Sequence, residues 1–157
     1  RGRVVSRARS FAQYSARSFP FSMKQPPGPR NALGSVKFMF PNKYNIYLHD
    51  TPSQHLFTRE VRTYSHGCIR LDDPHEFAYA LLAKQEADPV KFFQRILRSG
   101  SERRVNLEQP VPVHLIYRTA FSQAKGQMNY RPDVYGRDAK IWRALENAGV
   151  ALRTGQS

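Results

Sequence analysis

Cysteine occurs once in this chain, at Cys68, acidic residues are missing from the first 49 positions, and no apolar run is long enough to cross a bilayer. Each shortage excludes something. A single thiol cannot build an internal disulfide framework or a Cys-rich zinc site, so Cys68 is either a buried small residue or a reactive one. A spanning helix needs about 20 apolar residues, which rules out a membrane-crossing segment, and no apolar leader core lies near the N-terminus. The chain opens on Arg1 and not on Met, so it reads as a fragment that does not carry its own export signal. No internal repeat appears.

The missing acids make the charge lopsided. Of the net +13, the first 49 residues supply nine unopposed Lys and Arg, and beyond them sixteen basic residues face twelve acidic ones. Such a field favours polyanions, whether nucleic acid, anionic lipid headgroups or an acidic wall polymer, without choosing among them. The rest of the composition, 40% hydrophobic and 24% charged over 157 residues, suits one globular domain.

Punctuation by Pro, Gly and Asp organises the chain. Residues 1–23 scatter Arg, Ser and aromatics without a period and read as a basic irregular segment, with a turn of helix near 6–15. Gln25 to Gly34 is a breaker cluster of three prolines and two glycines, hence a loop. Residues 36–40 and 44–49 read as two strands joined by a turn at Pro41-Asn42-Lys43. Asp73-Pro74 and Asp88-Pro89 each combine an N-cap with a proline at the first helical position. They predict an αα unit: one helix to about Gln85 with a stripe of Phe77, Ala80, Leu81 and Ala83, another stopped at Gly100 with Val90, Phe93, Ile96 and Leu97. Residues 111–117 alternate as a strand, and Arg137–Asn147 predicts a closing helix ended by Gly149, with Ile141, Trp142 and Leu145 as packing residues.

Chemistry gathers in the middle. His49, His55, His66 and Cys68 lie within twenty residues, alongside Asp50, Ser53, Ser65 and Arg70. Gly67 before Cys68 lets the backbone approach a substrate closely, and the consecutive N–H groups of Gly67 and Cys68 can converge on an oxyanion. A free thiol is only a few per cent thiolate at neutral pH and needs a base or a positive neighbour. His66, committed to the same tight turn, is expected to shape the loop. His49, at a strand end, can reach across as the base, and Arg70 adds a fixed charge and a fork for a carboxylate.

The run His49, fifteen residues, then Ser65-His66-Gly67-Cys68-Ile69-Arg70 resembles the signature of the YkuD-type L,D-transpeptidases, cysteine acyltransferases of the bacterial cell wall. Pro26 to Gly34, Lys37 to Asn42 and Tyr47 to Pro52 are similar to the long, YcbB-like branch. Residues 25–84 match clearly and 110–147 more loosely. The resemblance implies Cys68 as nucleophile, His49 as general base, and the Asp50 carbonyl as the acceptor orienting it. It implies that His66, Gly67 and Cys68 form the oxyanion turn, that Ser65 braces it, and that Arg70 supports it or meets a stem-peptide carboxylate. Ser65, Asp50 and Arg70 are thus entered on the substrate side of the site.

The implied reaction is attack on the third, diaminoacyl residue of a peptidoglycan tetrapeptide stem, release of terminal D-Ala, and transfer to an amine of a second stem as a 3→3 cross-link. Acylation by a β-lactam of the carbapenem class is expected, with no metal and no cofactor. The fold implied is α+β: a mainly β catalytic domain of β-sandwich type over residues 24–150, with the inserted αα unit and C-terminal helix, and a tail at 151–157. That sandwich has strands ahead of the proline-rich loop, so the expectation is a partial domain missing its first strands. The full-length protein is expected in the periplasm or cell wall.

Two other readings compete. A degenerate domain or basic binder of wall polymer or nucleic acid fits the acid-free front but not the His–Cys constellation; nucleic acid is not the expected partner. Zinc on His49, His55 or His66 with Cys68 fits none of the common ligand spacings. Tyr44 and Tyr47 read as half-buried strand aromatics and are not counted as site residues.

Overall fold

The computed structural model describes residues 10–65 and 67–151. Its first two α-helices start where the Asp–Pro pairs place them. Helix α1 spans Pro74–Leu82, with the Asp73 carboxylate accepting from the Glu76 N–H, and α2 spans Pro89–Arg98, with Asp88 accepting from the Lys91 N–H at 2.8 Å. In both, the proline occupies a position whose N–H would have no helical partner. Helix α1 ends three residues before Gln85, and α2 closes at Ser99, after which Gly100 takes the left-handed conformation (φ 64°).

The face of α1 that is covered differs from the expected stripe. Pro74, Ala78 and Leu82, four residues apart, form the buried line, whereas Ala80 and Ala83 are exposed. Helix α2 lies against the first turns of α1: Phe93 packs on His75 and Tyr79 with ring centroids 5.0 and 5.5 Å apart, and Gln94 Nε2 donates to the Tyr79 hydroxyl at 2.8 Å. Val90 and Leu97, expected on the packed side, are 49% and 37% exposed.

A small sheet precedes the helices in the chain. Strands β1 (Lys37–Phe38) and β2 (Leu48–His49) pair antiparallel, and β2 pairs parallel with β3 (Ile69–Arg70), which the sequence patterning did not mark. The connection between β1 and β2 is longer than the expected turn. Asn42 organises it, donating from Nδ2 to the Phe40 and Ile46 carbonyls and accepting at Oδ1 from the Tyr44 and Ile46 N–H groups.

The expected strand at 111–117 does not form. Among the described residues no neighbour offers it a ladder, and its apolar positions stay open: Val111 is 49% exposed and Leu115 50%. Alternation makes a strand possible, but only a hydrogen-bonding partner makes one. Instead β4 (Ala120–Ser122) and β5 (Met128–Tyr130) form a hairpin, followed by helix α3 (Arg137–Asn147). Asp133 caps α3 from upstream, accepting from the N–H groups of Arg137, Asp138 and Ala139 and from the Tyr117 hydroxyl. Ile141 and Leu145, expected to pack, are 59% and 40% exposed.

At the front, residues 10–23 hold turns, with Phe11, Tyr14, Phe19 and Phe21 clustered edge-to-face. The remainder of the expected helical turn at 6–15 lies outside the described residues. Among the described residues, three α-helices with two small sheets make the class α+β. The chain exposes 13989 Å², against roughly 8,000 Å² for a compact monomer of this mass. Accordingly the buried apolar side chains among the described residues are few, Pro74, Ala78 and Leu82.

Candidate active site

Register builds the site. Paired residues of neighbouring strands point to the same face, and successive residues alternate. With Lys37 opposite His49 and His49 opposite Arg70, one face of the sheet carries Lys37, Tyr47, His49, Cys68 and Arg70. The opposite face carries Phe38, Leu48 and Ile69, and Phe38 packs on Phe77 of α1 at 4.9 Å between ring centroids. Flanking bonds extend the pairing, with Ile69 N–H donating to the Tyr47 carbonyl at 3.0 Å and Leu71 N–H to that of His49 at 2.9 Å. Residues nineteen apart in sequence, His49 and Cys68, are thereby brought to one surface by the β2–β3 pairing.

His49 is 5% exposed, and its Nδ1 lies in hydrogen-bond contact with the carbonyl oxygen of Asp50. A carbonyl only accepts, so Nδ1 is the donor and, in the neutral ring, Nε2 carries the free lone pair. That tautomer is the one a general base requires.

The Cys68 loop is held from both sides. Ser65 Oγ donates to the Cys68 carbonyl at 2.6 Å and accepts from the Gly67 N–H at 3.3 Å. Arg70 Nη2 donates to the Tyr64 carbonyl at 3.2 Å, tying the end of β3 to the start of the loop. Gly67 adopts φ 149°, where a side chain is disfavoured although space for a Cβ exists, the nearest atom being Ile46 Cγ1 at 3.8 Å. The Cys68 sulfur is half-buried and lies 4.0 Å from the Asn45 carbonyl. His66 lies outside the described residues.

Asp50 is engaged internally. Its Oδ2 accepts from the N–H and the hydroxyl of Ser35, both at 2.7 Å, and its Oδ1 from the Thr51 N–H at 2.6 Å and Gln54 Nε2 at 3.3 Å. Burial alone would push this carboxyl up, but the Ser35 and Thr51 bonds and the nearby His75 outweigh it and hold Asp50 below the ordinary carboxylate range.

Tyr47 belongs to the constellation, although sequence patterning set it aside. Its ring lies 6.1 Å from that of His49, with Lys37 Nζ 6.0 Å from its centroid, and its phenol is raised by burial first and by the adjacent Cys68 second. Ser35 and His75 were also missed. Their one available signal was Gly34 beside Ser35, and nothing local ties His75 to the loop after β2. His55 and Tyr44 are exposed and are not drawn into the cluster.

Comparison with known proteins identifies the family. The YkuD family, described as the L,D-transpeptidase catalytic domain, matches residues 3–113. A Haemophilus influenzae protein named "Putative L,D-transpeptidase" is 34% identical over 140 residues, an overlap covering 89% of this chain and 28% of that protein. The chain therefore spans little more than a quarter of the relative's length. Among the described residues, no helix is long and apolar enough to cross a membrane.

Proposed function

Because the chain belongs to the YkuD family of L,D-transpeptidase catalytic domains, we propose that it transfers acyl groups between peptidoglycan stem peptides through a thioester on Cys68. The observation carrying this reading is the His49 ring, anchored at Nδ1 by the Asp50 carbonyl, on the same sheet face as Cys68.

In the proposed cycle His49 Nε2 takes the thiol proton, and the Cys68 thiolate attacks the carbonyl carbon of the third, diaminoacyl residue of a tetrapeptide stem. The oxyanion is met by backbone N–H groups of the turn, from Cys68 and from Gly67, whose bond to Ser65 is long enough to exchange. The C–N bond to terminal D-Ala breaks, and the D-Ala nitrogen leaves with the proton held by His49. The side-chain amine of a second stem then attacks the thioester, gives its proton to His49, and expels the Cys68 sulfur, leaving a 3→3 cross-link. Water or a free D-amino acid can replace that amine.

Arg70 and Ser65 stand on the rim of this surface, where Arg70 offers a fork to a stem carboxylate while bracing the loop. His66 is assigned to the same turn. A β-sandwich over residues 24–150 goes with this reading, supported by the β1–β2–β3 pairing. Stem peptides lie outside the cytoplasmic membrane, so the working location is the periplasm or cell wall.

Intact-mass spectrometry of the purified chain with a carbapenem, followed by peptide mapping, tests the proposal. A stoichiometric adduct on Cys68, absent in Cys68→Ala and slowed in His49→Ala, is the expected result. A folded chain that forms no adduct overturns it.

A further inference from the structure

The His49 anchor is a backbone carbonyl, and the structure points to what aims it. The Asp50 carbonyl and the Thr51 N–H belong to one peptide group, which is planar and trans, so within that plane they point in opposite directions from its two edges. Asp50 Oδ1 grips that plane by the Thr51 N–H at 2.6 Å, while the carbonyl on its other side receives His49 Nδ1. Rotation of this peptide would break both contacts at once.

The carboxylate is in turn fixed from the residues just before β1 and from α1. Ser35 gives Asp50 Oδ2 its N–H and its hydroxyl hydrogen, both at 2.7 Å. A serine hydroxyl has one hydrogen, so at 2.7 Å from His75 Nε2 it must accept, and His75 donates from Nε2. A polarised chain thus runs from His75 in the first turn of α1, through Ser35, to Asp50. The Asp50 N–H closes the frame on the Val36 carbonyl at 2.9 Å. Gly34 makes room for it: at φ 61°, a Cβ there would lie 2.3 Å from Asp50 Cγ.

We propose that Asp50, with Ser35 and His75 behind it, is a positioning residue for the base: its carboxylate orients the Asp50–Thr51 peptide, and that peptide orients His49. The inference rests on His49 being the base, as proposed above. It moves the Asp50 side chain from a substrate contact to an internal one, and makes the N-terminus of α1 part of the support of the site.

Cys68 is the one thiol, so iodoacetamide labelling reads it alone. Second-order alkylation rates are measured from pH 5 to 10 for the native chain and for His49→Ala, Asp50→Asn, Ser35→Ala, His75→Ala and His75→Gln, with a thermal midpoint for each. Lys37, Tyr47, His49 and Arg70, which share the face with Cys68, remain unchanged in every variant but His49→Ala. Asp50→Asn and Ser35→Ala are expected to move the pH profile toward that of His49→Ala and to slow labelling at neutral pH about ten-fold, less than the roughly hundred-fold that a full 1 Å misplacement can cost. His75→Gln keeps an N–H donor and should fall nearer the native profile than His75→Ala.

Native profiles for both Asp50→Asn and Ser35→Ala, beside a shifted one for His49→Ala, overturn the positioning role alone. Lowered thermal midpoints with native profiles do the same, because they show a structural role only. A native profile for His49→Ala removes the base and this inference with it. Should Asp50→Asn fail to fold, Ser35→Ala decides, since Ser35 is exposed and loses one oxygen.

Discussion

Tyr47 faces Cys68 across the parallel pairing of β2 and β3, one residue before the Leu48–Ile69 pair, with its backbone carbonyl accepting from Ile69. Its ring lies 6.1 Å from that of His49, and its phenol is raised by burial and then by the Cys68 thiol. Tyr47→Phe keeps the ring and removes the hydroxyl. A hydrogen bond of ordinary net worth, about 0.5–1.5 kcal/mol, corresponds to a two- to ten-fold slower labelling of Cys68 at neutral pH. Stopped-flow or quenched iodoacetamide kinetics measures it, and an unchanged rate would show that the hydroxyl does not assist the thiol.

Gly34→Ala disturbs the seat of Asp50 without removing a polar group. The left-handed φ of 61° costs an alanine about 1–2 kcal/mol, and its Cβ would overlap Asp50 Cγ at 2.3 Å. A lower thermal midpoint together with slower carbapenem acylation is expected. A variant with the native midpoint and native acylation rate would mean that the loop after β2 tolerates displacement of Asp50.

Ser65→Ala removes the brace across the Cys68 turn. The lost hydroxyl leaves the Cys68 carbonyl without its 2.6 Å donor and the Gly67 N–H without its acceptor. Loss of about 1 kcal/mol from the loop should slow carbapenem acylation several-fold while the far-ultraviolet circular dichroism stays native. Time-resolved intact mass gives the rate, and equal rates for the two proteins would assign the turn's shape to Arg70 and the backbone instead.

Asp133 governs helix α3 and supplies a pH test. Its carboxyl, which burial would raise, is held below the ordinary value by the Tyr117 hydroxyl and the N–H groups of Ala139, Arg137 and Asp138. A depressed folded value means the contribution is present above the unfolded carboxylate value and is lost as pH falls through the folded one. Helical signal from the 11 residues of α3 should therefore persist at neutral pH and fade below the reference value of 3.8. Asp133→Ala should show a reduced signal already at pH 7, and a native signal there would show that the helix does not depend on this cap.

Local chemistry made much of the chain legible. Asp73-Pro74 and Asp88-Pro89 combine a carboxylate that accepts a first-turn N–H with a ring that fixes φ, and both helices begin there. The segment Ser65–Arg70 and the spaced His49 suggested one site because a nucleophile, oxyanion donors and a base, the roles proposed for them, act together. Patterning failed where the outcome depended on a neighbour. Residues 111–117 alternate correctly but have no ladder among the described residues, and β3, two residues long, carries no period at all. Asp133 was invisible as a cap because it lies three residues before Gly136, the helix's own N-cap position.

What the sequence determined by itself was which groups are present and where the first helices start: a single thiol after a glycine, a spaced imidazole, a basic front, and Asp–Pro caps that act within a few residues. What only the tertiary structure decided was aim. Ser35, Asp50 and His75 are separated by 15 and 25 residues, and only the pairing of β1 with β2 and the docking of α1 on the sheet bring them together. Hydrogen bonds reach about 3 Å, so a contact between residues so far apart in the chain is fixed by packing and leaves no local trace.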